Sequence, residues 1–135
     1  MPTIRKINHL AVVVSDMEAA LSFWRDALGI PLAEVRDVPA EAAQVAFLPL
    51  ADSEIELVLP TTQDSGLAKY LAKRGAGMHH LCLEVDDLTE MLQQLKAKGI
   101  RLINEQPRQA ADGRKYAFIH PESAHGVLVE LYEVA

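Results

Sequence analysis

An α+β fold built from two copies of one β-α-β-β-β module is predicted by three observations. The first is an internal repeat. HLAVVVSDMEAAL from His9 and HLCLEVDDLTEML from His80 stand 71 residues apart, with His, Leu, a small residue, an apolar residue, Val14/Val85 and Asp16/Asp87 in register. The second is how far the match runs. Gly29-Ile30 pairs with Gly99-Ile100, Ala46-Phe47 with Ala117-Phe118, and Ile55-Glu56-Leu57 with Val129-Glu130-Leu131. The third is the pattern within each copy, where a short apolar run is followed by a stretch of helical period and then by further short runs. One repeat at half the chain length gives a stacked pair of units rather than a solenoid.

Each element has a local reason. NHLAVVV (8–14) is a β-branched apolar run and reads as the first strand. Ser15-x-x-Glu18 has capping-box spacing and predicts a helix through Asp16 to Leu28 that stops at Gly29. Leu21, Trp24 and Leu28 share its inner face. Strands follow over Ile30–Val35, Gln44–Leu50 and Glu54–Leu59. SGLAKYLAKRG, within 61–77, is edged by Ser and Gly and reads as a linker helix. The second copy repeats the plan: strand HHLCLEV, a helix capped over Asp87 to Glu90 with Met91, Leu92 and Leu95 inward, then strands Arg101–Glu105, Lys115–His120 and Val127–Tyr132. Asp112-Gly113 marks the turn before the penultimate strand. The two modules, about 4–60 and 76–134, form one domain over 1–135, because 135 residues at 50% hydrophobic fill one core.

Composition narrows the partners. A net charge of −6 with scattered acids leaves no basic footprint for nucleic acid, so a small molecule is expected. No apolar run approaches the ~20 residues that cross a bilayer, and the first strand follows the start so closely that no targeting segment is expected. Cys82 stands alone, which rules out a disulfide framework. The expected compartment is the cytoplasm.

Strand geometry turns the repeat into chemistry. Side chains recur on one face at alternate positions, so residues on equivalent strands of two related modules converge. His9 and His80 open equivalent strands, and Glu56 and Glu130 sit within equivalent final strands among apolar neighbours. A carboxylate buried there needs a partner, and a divalent metal is one. Singly, each residue has a plainer explanation: a histidine at a strand start is commonly a core or surface group, and a strand glutamate commonly faces solvent. Two matched pairs in both copies favour a shared four-ligand metal site.

INHLAVVVSDMEAALSFWRDALG, SEIELVLP, KRGAGMHHLCLEVDD and FIHPESAHGVLVEL together resemble the vicinal oxygen chelate (glyoxalase/bleomycin resistance/dioxygenase) superfamily and, within it, the methylmalonyl-CoA epimerases. GMHHLCLEVDD and HP....GVLVEL are the most specific segments. The resemblance implies two modules closing a cupped, mixed eight-stranded sheet with helices outside. It also implies one divalent ion per chain (Co²⁺, Ni²⁺, Zn²⁺ or Mn²⁺) on His9, Glu56, His80 and Glu130, an acyl-CoA substrate, and a homodimer. Interconversion of the C2 epimers needs an acid/base group on each face of the carbon. The resemblance assigns these roles to Glu130 and to Glu41 in VPAEAAQVAF, although the Gln-Gly that follows this acid in the epimerases is absent here. Glyoxalase I, an extradiol dioxygenase, or a bleomycin-resistance-type binding protein would use the same scaffold. His79 should point away from the site, and His120 and His125 read as structural. Lys69, Lys73, Arg74, Arg108, Arg114 and Lys115 are cations that could meet CoA phosphates, each more simply a solvated surface charge.

Overall fold

Two parallel strand pairs carry the repeat. A computed structural model of the chain describes residues 2–110 and 112–134. Its first copy contains β1 (Ile4–Val13), α1 (Met17–Leu21), β2 (Glu34–Val38), β3 (Ala43–Leu50) and β4 (Ser53–Pro60). Next comes α2 (Gly66–Arg74). The second copy contains β5 (Gly77–Val85), α3 (Leu88–Ala97), β6 (Arg108–Gln109), β7 (Lys115–Ile119) and β8 (Val129–Glu133). β1 pairs parallel with β4, and β5 with β8. The remaining named pairs, β2–β3, β3–β4, β6–β7 and β7–β8, are antiparallel. The hydrogen-bonded order is β2-β3-β4-β1-β5-β8-β7-β6, a mixed eight-stranded sheet. The predicted two-module α+β plan is therefore the observed one.

The chain divides into two compact units, one from Leu10 to His79, the other combining the chain up to His9 with the chain from His80 onward. Alternation sorts the residues of each. In the first, Ala46, Leu48, Ile55 and Leu57 pack with Met17 and Leu21 of α1 and with Trp24. In the second, Ala117, Val129 and Leu131 pack with Leu88 and Leu92 of α3. Because successive strand residues face opposite ways, Glu56 and Glu130 are turned away from these helix-facing cores. Among the described residues no helix is long and apolar enough to cross a membrane.

The boundaries differ from expectation where a specific group intervenes. The first helix is capped by Asp16, whose side chain accepts from the Ala19 N–H, rather than by Ser15. Asp87 caps α3 in the same way through the Glu90 N–H, so the repeat itself marks the cap. α1 ends at Leu21, and Ser22–Ala27 continues in wider π-helical turns, with the Leu28 N–H reaching the Phe23 carbonyl at 3.0 Å. β2 begins at Glu34 rather than Ile30 because Pro31 has no N–H for the ladder. Ile30 and Leu32 instead pack on the first core. The predicted strand 101–105 is reduced to a single bridge, Leu102 to Ile119. The N–H groups of Ile103 and Asn104 both go to the Phe118 carbonyl, and the Asn104 side chain accepts from the Phe118 N–H at 2.8 Å. A side chain thus replaces the backbone partner, and the regular ladder resumes at β6.

Candidate functional site

Register places the glutamates before any side chain is considered. On the second unit's parallel pair, Glu130 of β8 lies opposite Cys82, two residues beyond His80. On the first unit's parallel pair, Glu56 of β4 lies opposite Ala11, two residues beyond His9. Each copy thus sets its glutamate in one register against the strand that carries its histidine.

The structure brings His9, His80 and Glu130 together. His9 Nε2 is 3.1 Å from His80 Nε2 and 3.4 Å from Glu130 Oε1, and His80 Nε2 is 3.1 Å from the same oxygen. His9 and Glu130 are only 6% and 8% exposed, so water has little access to them. The imidazoles meet edge to face, and the Phe118 ring, 5.6 Å from that of His80, walls one side. Cys82, fully buried, joins His9 and Glu130 in a group whose donor atoms all lie within 4.8 Å of one another. Its closeness was not foreseen; the signal was its place two residues past His80, on the same strand face.

This donor set fits a metal ion. Two imidazole nitrogens and a carboxylate oxygen cannot all aim lone pairs at one another unless a proton or a cation sits among them. Donors bound at roughly 2.0–2.2 Å lie about 2.8–3.6 Å apart at right-angled or tetrahedral positions, and the three observed separations fall in that range. Imidazole with carboxylate suits borderline and hard divalent ions.

The electrostatics agree. Burial would raise the Glu130 carboxyl, but hydrogen bonds from His80 and His9, together with their charges, outweigh it and hold the group at about 2 rather than 4.5. A carboxyl that titrates lower in the folded than in the unfolded chain stabilises the fold fully above the unfolded value, and that contribution is lost as pH falls through the folded one. Metal-free protein should therefore lose about 3 kcal/mol of stability from this group between pH 4.5 and 2. Urea unfolding against pH, compared with Glu130→Gln, reads the difference; parallel curves for the two proteins would remove the assignment.

Tyr132, two residues along from Glu130, has its ring 6.5 Å from that of His9. The Arg114 guanidinium lies over the Tyr132 ring at 5.6 Å, and its Nε is 3.4 Å from Asp112. Glu56 is half-buried on β4, with Phe47 opposite it on β3. Glu41 is exposed at the end of a short 3₁₀ turn, Pro39–Glu41, closed by Ala42 in the left-handed region at φ 51°. The His79 ring packs edge-on against Tyr70 at 4.6 Å. His120 caps the 3₁₀ turn Pro121–Ala124 through the Glu122 N–H, and His125 closes that turn.

Residues 8–118 match the family model described as the glyoxalase/bleomycin resistance protein/dioxygenase superfamily. The chain is 41% identical over 127 residues to the mitochondrial methylmalonyl-CoA epimerase of Mus musculus, covering 93% of this chain and 71% of that protein. It is 37% identical over 133 residues to the ethylmalonyl-CoA/methylmalonyl-CoA epimerase of Cereibacter sphaeroides, covering 97% and 99%. A solved structure of methylmalonyl-CoA epimerase in complex with methylmalonyl-CoA and NH₄⁺ superposes with a TM-score of 0.85 at 29% identity, covering 98% of this chain and 96% of that one.

Proposed function

The chain belongs to the glyoxalase/bleomycin resistance protein/dioxygenase superfamily, and from that premise we propose that it is a methylmalonyl-CoA epimerase, interconverting the two C2 epimers of its thioester substrate. The observation that carries this reading is the convergence of His9 Nε2, His80 Nε2 and Glu130 Oε1 within 3.4 Å in a doubly repeated register. His9, His80 and Glu130 would hold one divalent ion. Glu56 is proposed as the fourth ligand, because it stands in the first copy where Glu130 stands in the second. When bound, the ion supplies Lewis acidity to substrate oxygens that gain negative charge.

The chain's own groups do the rest. C2 of methylmalonyl-CoA lies between a thioester carbonyl and a carboxylate, so its proton is acidified from both sides. Epimerisation removes that proton from one face and returns one to the other, which takes two groups within hydrogen-bond reach. Glu130 is ionised across the neutral range and is assigned to one face; Glu41 is assigned to the other. The proton that returns is assigned to a carboxyl group rather than to bulk solvent. The working form is read as a homodimer in the cytoplasm, where the buried thiol of Cys82 stays reduced.

The test is direct. Protein supplied with Co²⁺ is incubated with one epimer in D₂O, and the epimer ratio and C2 deuterium are followed with and without chelator. Epimerisation with deuterium uptake, abolished by chelator, is expected. Absence of both would sink the reading. Turnover of methylglyoxal with glutathione would then favour glyoxalase I, whereas purification without stoichiometric metal and without any turnover would favour a binding protein.

A further inference from the structure

We infer that Asn8 and Glu84 are positioning residues that fix the tautomer of His9 and so aim its Nε2 lone pair into the donor cluster. This rests on the metal reading above, but its first test does not. His9 Nδ1 lies 2.8 Å from Asn8 Oδ1, and Asn8 Nδ2 lies 3.1 Å from Glu84 Oε1. Side chains of consecutive strand residues ordinarily point to opposite faces. Here the Asn8 amide nonetheless reaches both the His9 ring and Glu84.

A carboxylate only accepts hydrogen bonds, whereas an amide has a donating and an accepting end that exchange when it flips. Glu84 therefore holds the NH₂ end of Asn8, which turns the carbonyl end toward His9. A carbonyl only accepts, so His9 Nδ1 carries a proton; the charged ring also donates from Nε2 to Glu130, and it is this Nε2 proton, not the one on Nδ1, that the neutral ring lacks. That Nε2 is the atom 3.1 Å from His80 Nε2 and 3.4 Å from Glu130 Oε1. Without Glu84 the amide loses the acceptor that holds its NH₂ end, and a turned amide would present that end to Nδ1. The proton would then sit on Nε2, inside the cluster, and would have to leave before that nitrogen could bind anything. Glu84 itself lies opposite Tyr132 in the parallel pair, within the electrostatic reach of Arg114.

The first measurement is the ¹⁵N spectrum of histidine-labelled, metal-free protein above the imidazole titration range. His9 is expected as the Nδ1–H tautomer; an Nε2–H tautomer in the unaltered protein would overturn the inference. The second is Co²⁺ affinity by absorption titration. Glu84→Leu should weaken it about 10- to 100-fold, the range found when partners of metal-bound histidines are lost, while Glu84→Gln, which still accepts from Asn8, should bind nearly as tightly as the original. The decisive variant is Asn8→Asp/Glu84→Leu. A carboxylate at position 8 accepts from Nδ1 whichever way it turns, so the double variant should regain affinity; a purely structural role for Glu84 predicts no rescue and would refute the proposal. Should the unaltered protein bind no Co²⁺ at all, the metal reading fails while the tautomer measurement still decides the role of Asn8 and Glu84.

Discussion

Glu130→Gln is expected to slow exchange of the C2 proton by about 10²- to 10⁴-fold, the range that a positioned acid or base contributes, and to lower bound metal below one ion per chain. Both effects come from one charge. The carboxylate lies 3.1 Å from His80 Nε2 and 3.4 Å from His9 Nε2 and is held at about 2, so at neutral pH it is the site's anion. Glutamine keeps the shape but presents a neutral amide, which brings no negative charge to the two imidazoles or to a cation held among them. His80→Ala separates the two roles. It removes a ligand and leaves the Glu130 carboxylate, so excess Co²⁺ should restore part of its turnover and none of that of Glu130→Gln. Metal analysis beside the D₂O assay checks both, and a Glu130→Gln protein with full metal and full turnover would remove this residue from the chemistry.

What was legible beforehand follows from what each signal depends on. β1, β4, β5 and β8 were readable because each carries a short apolar run and the histidines and glutamates sit at matched places in both copies. The linker helix was readable from its flanks, Ser65 and Gly75, which the structure uses as the N-cap and as the closing residue at φ 79°. β2 and the 101–105 segment were placed too early for opposite reasons. Pro31 removed a donor from one strand, and Asn104 gave the other a side-chain partner that the backbone would otherwise have needed. Asn8 and Glu84 could not be recognised as neighbours of the site, because their contacts depend on which residues face each other across strands. Cys82 stands opposite Glu130 only once the parallel register of β5 and β8 is known. The helix-facing half of the fold is thus a matter of periodicity, legible along the chain, whereas the polar half is a matter of register between segments far apart in it.

Glu41→Gln is expected to leave metal binding intact, lower the rate of epimerisation by about 10²- to 10⁴-fold, and uncouple exchange from inversion. The last outcome is the informative one. If Glu130 and Glu41 serve opposite faces of C2, losing Glu41 leaves one face with a working base. The epimer whose proton points at Glu130 can still give it up and, after the carboxyl exchanges with D₂O, recover deuterium on the same face. It should therefore gain deuterium while keeping its configuration, whereas the other epimer should neither exchange nor invert. Glu41 lies at the exposed end of the 3₁₀ turn Pro39–Glu41, and the substitution removes no core side chain, so a folding defect would not account for a loss confined to one face. Following each pure epimer in D₂O by chiral analysis and mass spectrometry gives both quantities at once. Equal loss of exchange from both epimers would place the effect on substrate binding. Unchanged epimerisation would take Glu41 out of the mechanism and assign the second face to another group.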